Sequence, residues 1–156
     1  MDTLLSRWRE TPLRTWILYA ILYATVGLMN QRLGQHWHIA EFRHDWQVLT
    51  CYVLYLVPWS LAVRRFGPAD QFVWGMLCLA LIEIPGYAIG SSIAHPGNLL
   101  DQWFGERNFT LLMTVGFAAF LPAGNLVVAR LEQLLGWSEP TRASRGATVQ
   151  AGGESA

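Results

Sequence analysis

Four stretches almost free of charged residues constrain the fold of this chain more than any other feature. Residues 15–31, 46–63 and 108–129 contain no Asp, Glu, Lys or Arg, and residues 71–100 contain only Glu83. Each stretch approaches the roughly 20 apolar residues that cross a hydrocarbon core about 30 Å thick. A soluble domain of 156 residues has no need of four such stretches. The pattern therefore predicts a small integral membrane protein.

The spacing of these stretches predicts an all-α fold, with four transmembrane helices packed in an up-down bundle. The predicted spans are residues 15–33, 46–64, 71–91 and 108–130, within one membrane domain over residues 1–137. Residues 138–156 are rich in Gly, Ser, Ala and Thr, which predicts a disordered tail because such a segment buries too little apolar surface to fold. Gly86 and Gly90 have the G-x-x-x-G spacing that favours close helix packing. Cys51 and Cys78 are expected near opposite membrane faces as free thiols, too far apart for a disulfide.

Arginine placement predicts the orientation of the bundle. With the N-terminus inside, the inner segments hold Arg7, Arg9, Arg14, Arg64, Arg65, Arg130, Arg142 and Arg145, and the outer segments hold Arg32, Arg43 and Arg107. Cytoplasmic loops carry the excess of basic residues in membrane proteins. Both termini and the tail are therefore expected in the cytoplasm, with the protein in a bacterial inner membrane.

Glu83 is the one Asp, Glu, Lys or Arg within the four charge-poor stretches described above. Such residues are expensive in the hydrocarbon, at about 2.5–3.5 kcal/mol on insertion scales, and are functional candidates by default. At about 1.5 Å rise per residue, Glu83 lies about 18 Å from the inner face, and Asn30, Tyr52 and Thr114 lie at about 21 Å. These four residues are the candidates for binding a cofactor. The alternatives are a protonated Glu83 that holds helices together or faces a partner subunit, and a Glu83 that serves as the proton site of an oligomeric channel or carrier.

All four histidines fall in the two predicted outer loops, residues 32–45 and 91–107. Imidazole is a common ligand for zinc, copper and iron, although interfacial histidines with solvated tips are the alternative. The candidate metal ligands are His36, His38, His44 and His95. General acid–base chemistry needs His or carboxyl groups beside a cleft. The candidate catalytic groups are Glu83, His95 and Asp101.

One short segment of the second outer loop resembles a known family. Gly97-Asn98-Leu99-Leu100-Asp101 is similar to the G-N-x-x-D stretch of lipoprotein signal peptidases, which are four-helix aspartic proteases of similar length and orientation. The resemblance implies a catalytic role for Asp101. It covers five residues: Gln102 replaces the family's basic residue, and the second aspartate of the F-N-x-A-D motif is absent. Two carboxylates that share a proton are needed for that reaction, so membership of the family is not inferred.

The absence of a complete catalytic motif favours a non-catalytic accessory or structural subunit of a larger membrane complex. The expected partners are membrane lipid and either other membrane subunits or further copies of this chain, and the net charge of zero gives no reason to expect nucleic acid. The expected bound groups are a lipid, quinone or pigment, with a divalent metal as the other candidate. Two alternatives stay open: an enzyme acting on a lipid or isoprenoid at the outer interface, and the small channel that uses Glu83.

Overall fold

The computed structural model of this chain is mostly helical. It describes residue 6 and residues 8–90, 92–105 and 108–137, without the side chains of residues 83, 87, 92, 109 and 110. The helices are α1 (Leu13–His36), α2 (Asp45–Leu49), α3 (Leu56–Val63), α4 (Pro68–Ala88), α5 (Leu99–Phe104), α6 (Phe109–Ala118) and α7 (Phe120–Leu134). A π-helical segment, Thr50–Tyr55, joins α2 to α3, and two short strands are β1 (Ala40–Phe42) and β2 (Ser92–Ala94). The predicted disordered tail, residues 138–156, lies outside the described residues.

Within the described ranges, three continuous helical stretches are long and apolar enough to cross a membrane. Asp45–Val63 comprises α2, the π-helical segment and α3, Pro68–Gly86 lies within α4, and Leu111–Leu134 runs from α6 to the end of α7. They correspond to the second, third and fourth predicted spans, so the prediction of a helical integral membrane protein is confirmed at this level. Helix α1 has 24 residues but is not one of the three. Its two ends carry Arg14 and Arg32, and Asn30 and Gln31 lower its apolar character further. The crossing by α1 stays a prediction.

The two loops predicted on the outer side contain short strands that pair with each other. Strands β1 and β2 pair antiparallel, with Ala40 opposite Ala94 and Phe42 opposite Ser92. The side chain of Gln31 ties α1 to this pair, because its Oε1 accepts from the Phe42 N–H at 2.9 Å and its Nε2 donates to the Phe42 carbonyl at 3.3 Å. The assignment of residue 36 to a loop is wrong, since His36 is the last residue of α1.

Side-chain contacts define two opposite ends of the helical bundle. We call the end that carries β1 and β2 the strand end. At the other end, which we call the arginine end, Arg64 follows α3 and bonds Glu132 near the end of α7. Thr15, near the start of α1, bonds the same carboxylate. Because α1 begins at the arginine end and finishes beside β1, its direction is opposite to that of α7.

Helix α1 has an unusual distribution of polar and apolar residues. Its buried face repeats every four residues and consists of small or polar side chains: Thr15, Tyr19, Tyr23, Gly27 and Gln31. Its exposed face is apolar and includes Leu13, Ile17, Ile21, Leu28 and Met29. A helix on the surface of a soluble protein has the reverse arrangement. The exposed face of α1 therefore matches a hydrocarbon surrounding.

Close helix approach occurs at Gly75, whereas Gly90 of the predicted pair lies in a turn. A Cβ on Gly75 of α4 would lie 2.7 Å from the Ala118 carbonyl oxygen of α6, so only glycine fits this contact. Gly90 instead follows α4 with a φ of +65°, a turn conformation, and a Cβ there would meet no atom within 4 Å. Cys51 and Cys78 are not joined by a disulfide.

Candidate functional site

A cavity of about 180 Å³ opens at the strand end, between α1, β1, α5 and α6. Its walls are mainly apolar, and three polar side chains interrupt them. The apolar walls include Leu33, Trp37, Leu100, Met113 and Phe117, and the polar side chains are Asn30, Gln31 and Glu41. Drug-sized ligands occupy sites of roughly 300–1,000 Å³, so this cavity fits part of an amphiphile, such as a chain segment or a ring.

Two of the four residues predicted to form a polar layer are in direct contact. The Asn30 side-chain amide donates to the Tyr52 hydroxyl at 2.7 Å. Tyr52 lies on the π-helical segment, and its ring packs against Phe117 of the cavity wall with centroids 6.4 Å apart. Gly27 permits this arrangement, because a Cβ there would lie 2.7 Å from the Tyr52 ring. The contact joins α1 to the second span beside the cavity.

The other two residues predicted at this depth are Thr114 and Glu83. Thr114 is buried on α6, with 4% of its surface exposed. Glu83 lies within α4, but its side chain is outside the described residues. The proposed cofactor role of the four residues, and the channel or carrier that depends on Glu83, therefore stay predictions.

The strand pair brings a histidine close to a carboxylate at the mouth of the cavity. His95 Nε2 lies 3.8 Å from Glu41 Oε1, and the His38 and His95 rings meet edge to face with centroids 5.6 Å apart. The His95 N–H donates to the Ile39 carbonyl at 3.0 Å, which continues the strand pairing by one residue. Glu41 also lines the cavity. His95 and Glu41 are thus neighbours beside the cavity, although their 3.8 Å separation is longer than a hydrogen bond.

The four predicted metal ligands do not form one cluster. His36 ends α1, while the His44 ring stacks on Trp46 with centroids 6.2 Å apart. Within the part of the chain that the structure describes, no three His, Cys, Asp or Glu side chains are grouped closely enough to hold a metal ion. Only His38 and His95 of the predicted set are in mutual contact.

Asp101, the third candidate catalytic group, contributes to a helix cap. Asn98 is the N-cap of α5, and its Oδ1 accepts from the backbone N–H of Leu100 at 2.9 Å and of Asp101 at 3.1 Å. The Asn98 amide in turn donates to Asp101 Oδ2 at 2.9 Å. Asparagine is a favoured N-cap residue because its side-chain oxygen satisfies otherwise unpaired helix donors. Local capping thus accounts for the spacing that resembles the G-N-x-x-D stretch.

The arginine end contains a carboxylate that sequence reasoning did not select. Glu132 is 12% exposed, and its Oε2 accepts from Arg64 Nη2 at 2.6 Å. Its other oxygen, Oε1, accepts from the Thr15 hydroxyl at 2.6 Å. One carboxylate therefore joins three helical segments, because Thr15 belongs to α1, Arg64 follows α3 and Glu132 belongs to α7. Glu132 lies just beyond the predicted fourth span, so the search for charges within spans missed it.

A second polar chain lies deeper in the bundle. The Tyr19 hydroxyl donates to Asn125 Oδ1 at 2.6 Å, and the Asn125 amide donates to Gln71 Oε1 at 2.8 Å. Close by, the hydroxyls of Tyr23 and Ser60 are hydrogen-bonded at 2.6 Å. Every buried side-chain nitrogen and oxygen among the described residues has a hydrogen-bond partner. In the sequence, the four-residue spacing of Thr15, Tyr19 and Tyr23 indicates that these polar side chains share one face of α1.

The arginine end also has a polar cavity, of about 580 Å³, which opens at the bundle surface. Its walls include the side chains of Glu10, Arg14, Arg64, Arg65, Glu132 and Trp137. Arg65 and Glu10 face each other at 3.7 Å, and both are well exposed. Arg14 lies over the Trp137 ring, 5.3 Å from its centroid, and its Nη2 donates to the Trp137 carbonyl at 3.4 Å.

Comparison with known proteins assigns no family to this chain. No protein-family model, curated protein or solved structure matches it.

Proposed function

We propose that this protein crosses a bacterial inner membrane four times, with the arginine end and both termini in the cytoplasm, and serves there as a non-catalytic subunit of a larger membrane assembly. Three helical stretches are already long and apolar enough to cross, so the fourfold crossing depends on α1, the first predicted span. It is supported by the inverted polarity of α1, with polar residues inward and apolar residues outward. Its small and polar residues pack inward, whereas Ile17, Ile21 and Leu28 point outward. The same inversion favours lipid contact along the full length of this helix. The arginine bias supports the orientation.

The accessory role rests on how the buried polar side chains are used. Glu132 bonds Arg64 and Thr15, and Asn125 bonds Tyr19 and Gln71, so these polar groups connect helices to one another. Interhelical hydrogen bonds of this kind stabilise membrane bundles. Because these interior polar groups bond one helix to another, they are not available for catalysis. This favours a protein that functions through contacts on its surface.

Helix α4 presents the surface best suited to a partner. Only 24% of the residues in its most apolar stretch are buried, compared with 44% for Asp45–Val63 and 33% for Leu111–Leu134. Its exposed side chains include Val73, Leu77, Leu81 and Ile84. We expect another membrane helix, from a different subunit or from a second copy of this chain, to pack on this face.

Site-specific photo-crosslinking in native membranes tests the accessory role. A photoreactive side chain at Leu77 or Leu81 is expected to give a crosslink to one protein of defined mass, and the same group at Ile21 on α1 serves as the control for lipid-facing positions. A crosslink to the chain itself would show a homo-oligomer. Absence of protein crosslinks at both α4 positions, with a monomer in mild detergent, would contradict the proposal.

The strand-end cavity favours a second candidate function, which is an enzyme acting on a lipid or isoprenoid at the outer interface. The supporting observation is the proximity of His95 and Glu41, 3.8 Å apart, to an apolar cavity that Glu41 lines. Filling the cavity with Leu100→Trp is expected to remove a copurifying amphiphile, whereas Leu99→Trp, at an exposed neighbouring position, is expected to keep it. Equal amounts of bound amphiphile in the two variants would contradict this role for the cavity.

A further inference from the structure

We propose that the cavity at the arginine end binds the phosphate of an anionic phospholipid. This inference goes beyond the accessory role, but it rests on the proposed placement of the arginine end at the cytoplasmic face of a membrane. Three guanidinium groups and two carboxylates line the cavity, namely those of Arg14, Arg64, Arg65, Glu10 and Glu132, so the lining carries one excess positive charge. Basic pockets at the cytoplasmic side of membrane helices are typical sites for anionic headgroups.

Not all of these charges are available to a ligand. Glu132 is held between Arg64 Nη2 and the Thr15 hydroxyl, both at 2.6 Å, so the Arg64–Glu132 pair is already neutralised within the bundle. Arg65 is 67% exposed, and among the described residues the carboxylate that pairs with it is Glu10, at the long distance of 3.7 Å. The guanidinium of Arg65 can therefore exchange Glu10 for a phosphate without loss of a buried contact.

Arg14 is the second arginine suited to a phosphate. Its guanidinium carbon lies 5.3 Å from the centroid of the Trp137 ring, and its Nη2 makes one long bond of 3.4 Å to the Trp137 carbonyl. A guanidinium carries five N–H donors in a fork that matches phosphate geometry, so its remaining donors can pair with phosphate oxygens. Tryptophan also favours the headgroup level of a bilayer, so Trp137 places this arginine at the depth of a lipid phosphate.

The start of α1 adds a weaker contribution to the same cavity. Pro12 precedes the helix without a side-chain cap, and no acidic residue occupies the first turn. Thr11 and Pro12 both line the cavity. The helix dipole of this 24-residue helix favours an anion near its first turn. Together with Arg14 and Arg65, this end of α1 forms a site whose charge complements a phosphodiester.

Native mass spectrometry of the full chain in detergent tests the proposal. Phosphatidylglycerol is expected to be retained in preference to phosphatidylcholine of the same acyl chains. Arg14→Gln and Arg65→Gln are each expected to weaken that binding roughly fivefold. Arg130→Gln is the matched control, because Arg130 is exposed on α7, bonds the exposed Gln133 and is not among the described residues that line the cavity.

A change of the opposite sign separates binding from misfolding. Glu10→Gln removes the carboxylate that competes for Arg65 and is expected to strengthen phosphatidylglycerol binding. Millimolar inorganic phosphate is expected to leave the lipid bound, because the acyl chains add apolar contact. The proposal is overturned if Arg14→Gln and Arg65→Gln retain the lipid as the unmodified chain does, if both lipids bind equally, or if inorganic phosphate displaces phosphatidylglycerol.

Discussion

The two ends of this bundle use polar residues in different ways. At the arginine end, the Glu132 carboxylate, which is 12% exposed, bonds Arg64 and Thr15 at 2.6 Å each and connects three helical segments. At the strand end, Glu41 and His95 are about one-third exposed, lie 3.8 Å apart and border a cavity. The first arrangement stabilises the fold, because its groups are partly buried and closely hydrogen-bonded to one another. The second leaves groups accessible to a ligand.

This difference shows that a charged residue near a membrane helix indicates function only when its partners are known. An intramembrane acid is by default a functional candidate, but Glu132, at the edge of its span, already has two strong partners within the protein. Closely bonded charges contribute to stability, whereas loosely bonded charges contribute to recognition. Four substitutions test this contrast, and they are described in order of decreasing expected effect on the free energy of unfolding.

The largest effect is expected for Glu132→Ala. This change leaves the Arg64 guanidinium, 28% exposed, without its carboxylate and removes the acceptor of Thr15. Loss of one member of a buried ion pair costs about 3 kcal/mol. Glu10→Ala is the control at the same end, since the exposed Glu10–Arg65 pair is worth at most about 1 kcal/mol. Unfolding in mixed detergent micelles measures both values, and equal values would remove the distinction.

A smaller loss is expected for Gly75→Ala, at the contact between α4 and α6. The new Cβ would lie 2.7 Å from the Ala118 carbonyl oxygen, so the helices must separate. Overpacking of this kind costs about 2 kcal/mol. Gly116→Ala on α6 is the control, because a Cβ there meets no atom within 4 Å, and a gain below about 1 kcal/mol is expected. Similar results for the two glycines would contradict the described packing.

Tyr19→Phe is expected to have a moderate effect, because it removes the hydroxyl that donates to Asn125 Oδ1 at 2.6 Å. Interhelical hydrogen bonds in membrane proteins contribute about 1 kcal/mol. Thr25→Val is the control, since the exposed Thr25 hydroxyl bonds only the Ile21 carbonyl of its own helix. The same unfolding assay compares the two, and a larger loss for Thr25→Val would contradict the assignment of the buried polar chain.

The smallest effect is expected for Glu41→Gln at the strand end. Its partner, His95, is 29% exposed and 3.8 Å away, and such pairs contribute less than about 1 kcal/mol. The free energy of unfolding should therefore change little. A decrease in the free energy of unfolding as large as that of Glu132→Ala would show that Glu41 also stabilises the fold. The contrast between the two ends would then be wrong.

The sequence was sufficient for the helical membrane class, because charge-free stretches report directly on the hydrocarbon thickness. Depth along each helix also brought Asn30 and Tyr52 together correctly. The strand pairing could not be predicted, since it joins residues 40–42 to residues 92–94 through tertiary contact. The glycine contacts were missed for a related reason: Gly75 and Gly90 look alike in sequence, and only packing distinguishes a helix contact from a turn. Glu132 was missed because it lies beyond its predicted span.

Cysteine accessibility in spheroplasts tests most directly whether the two ends face opposite sides of the membrane. In a background with Cys51 and Cys78 replaced by alanine, one cysteine is introduced at the exposed Gln102 or at the exposed Arg65. A membrane-impermeant maleimide is expected to label Gln102→Cys in intact spheroplasts and Arg65→Cys only after lysis. Labelling of both positions in intact spheroplasts, or of Arg65→Cys alone, would contradict the account.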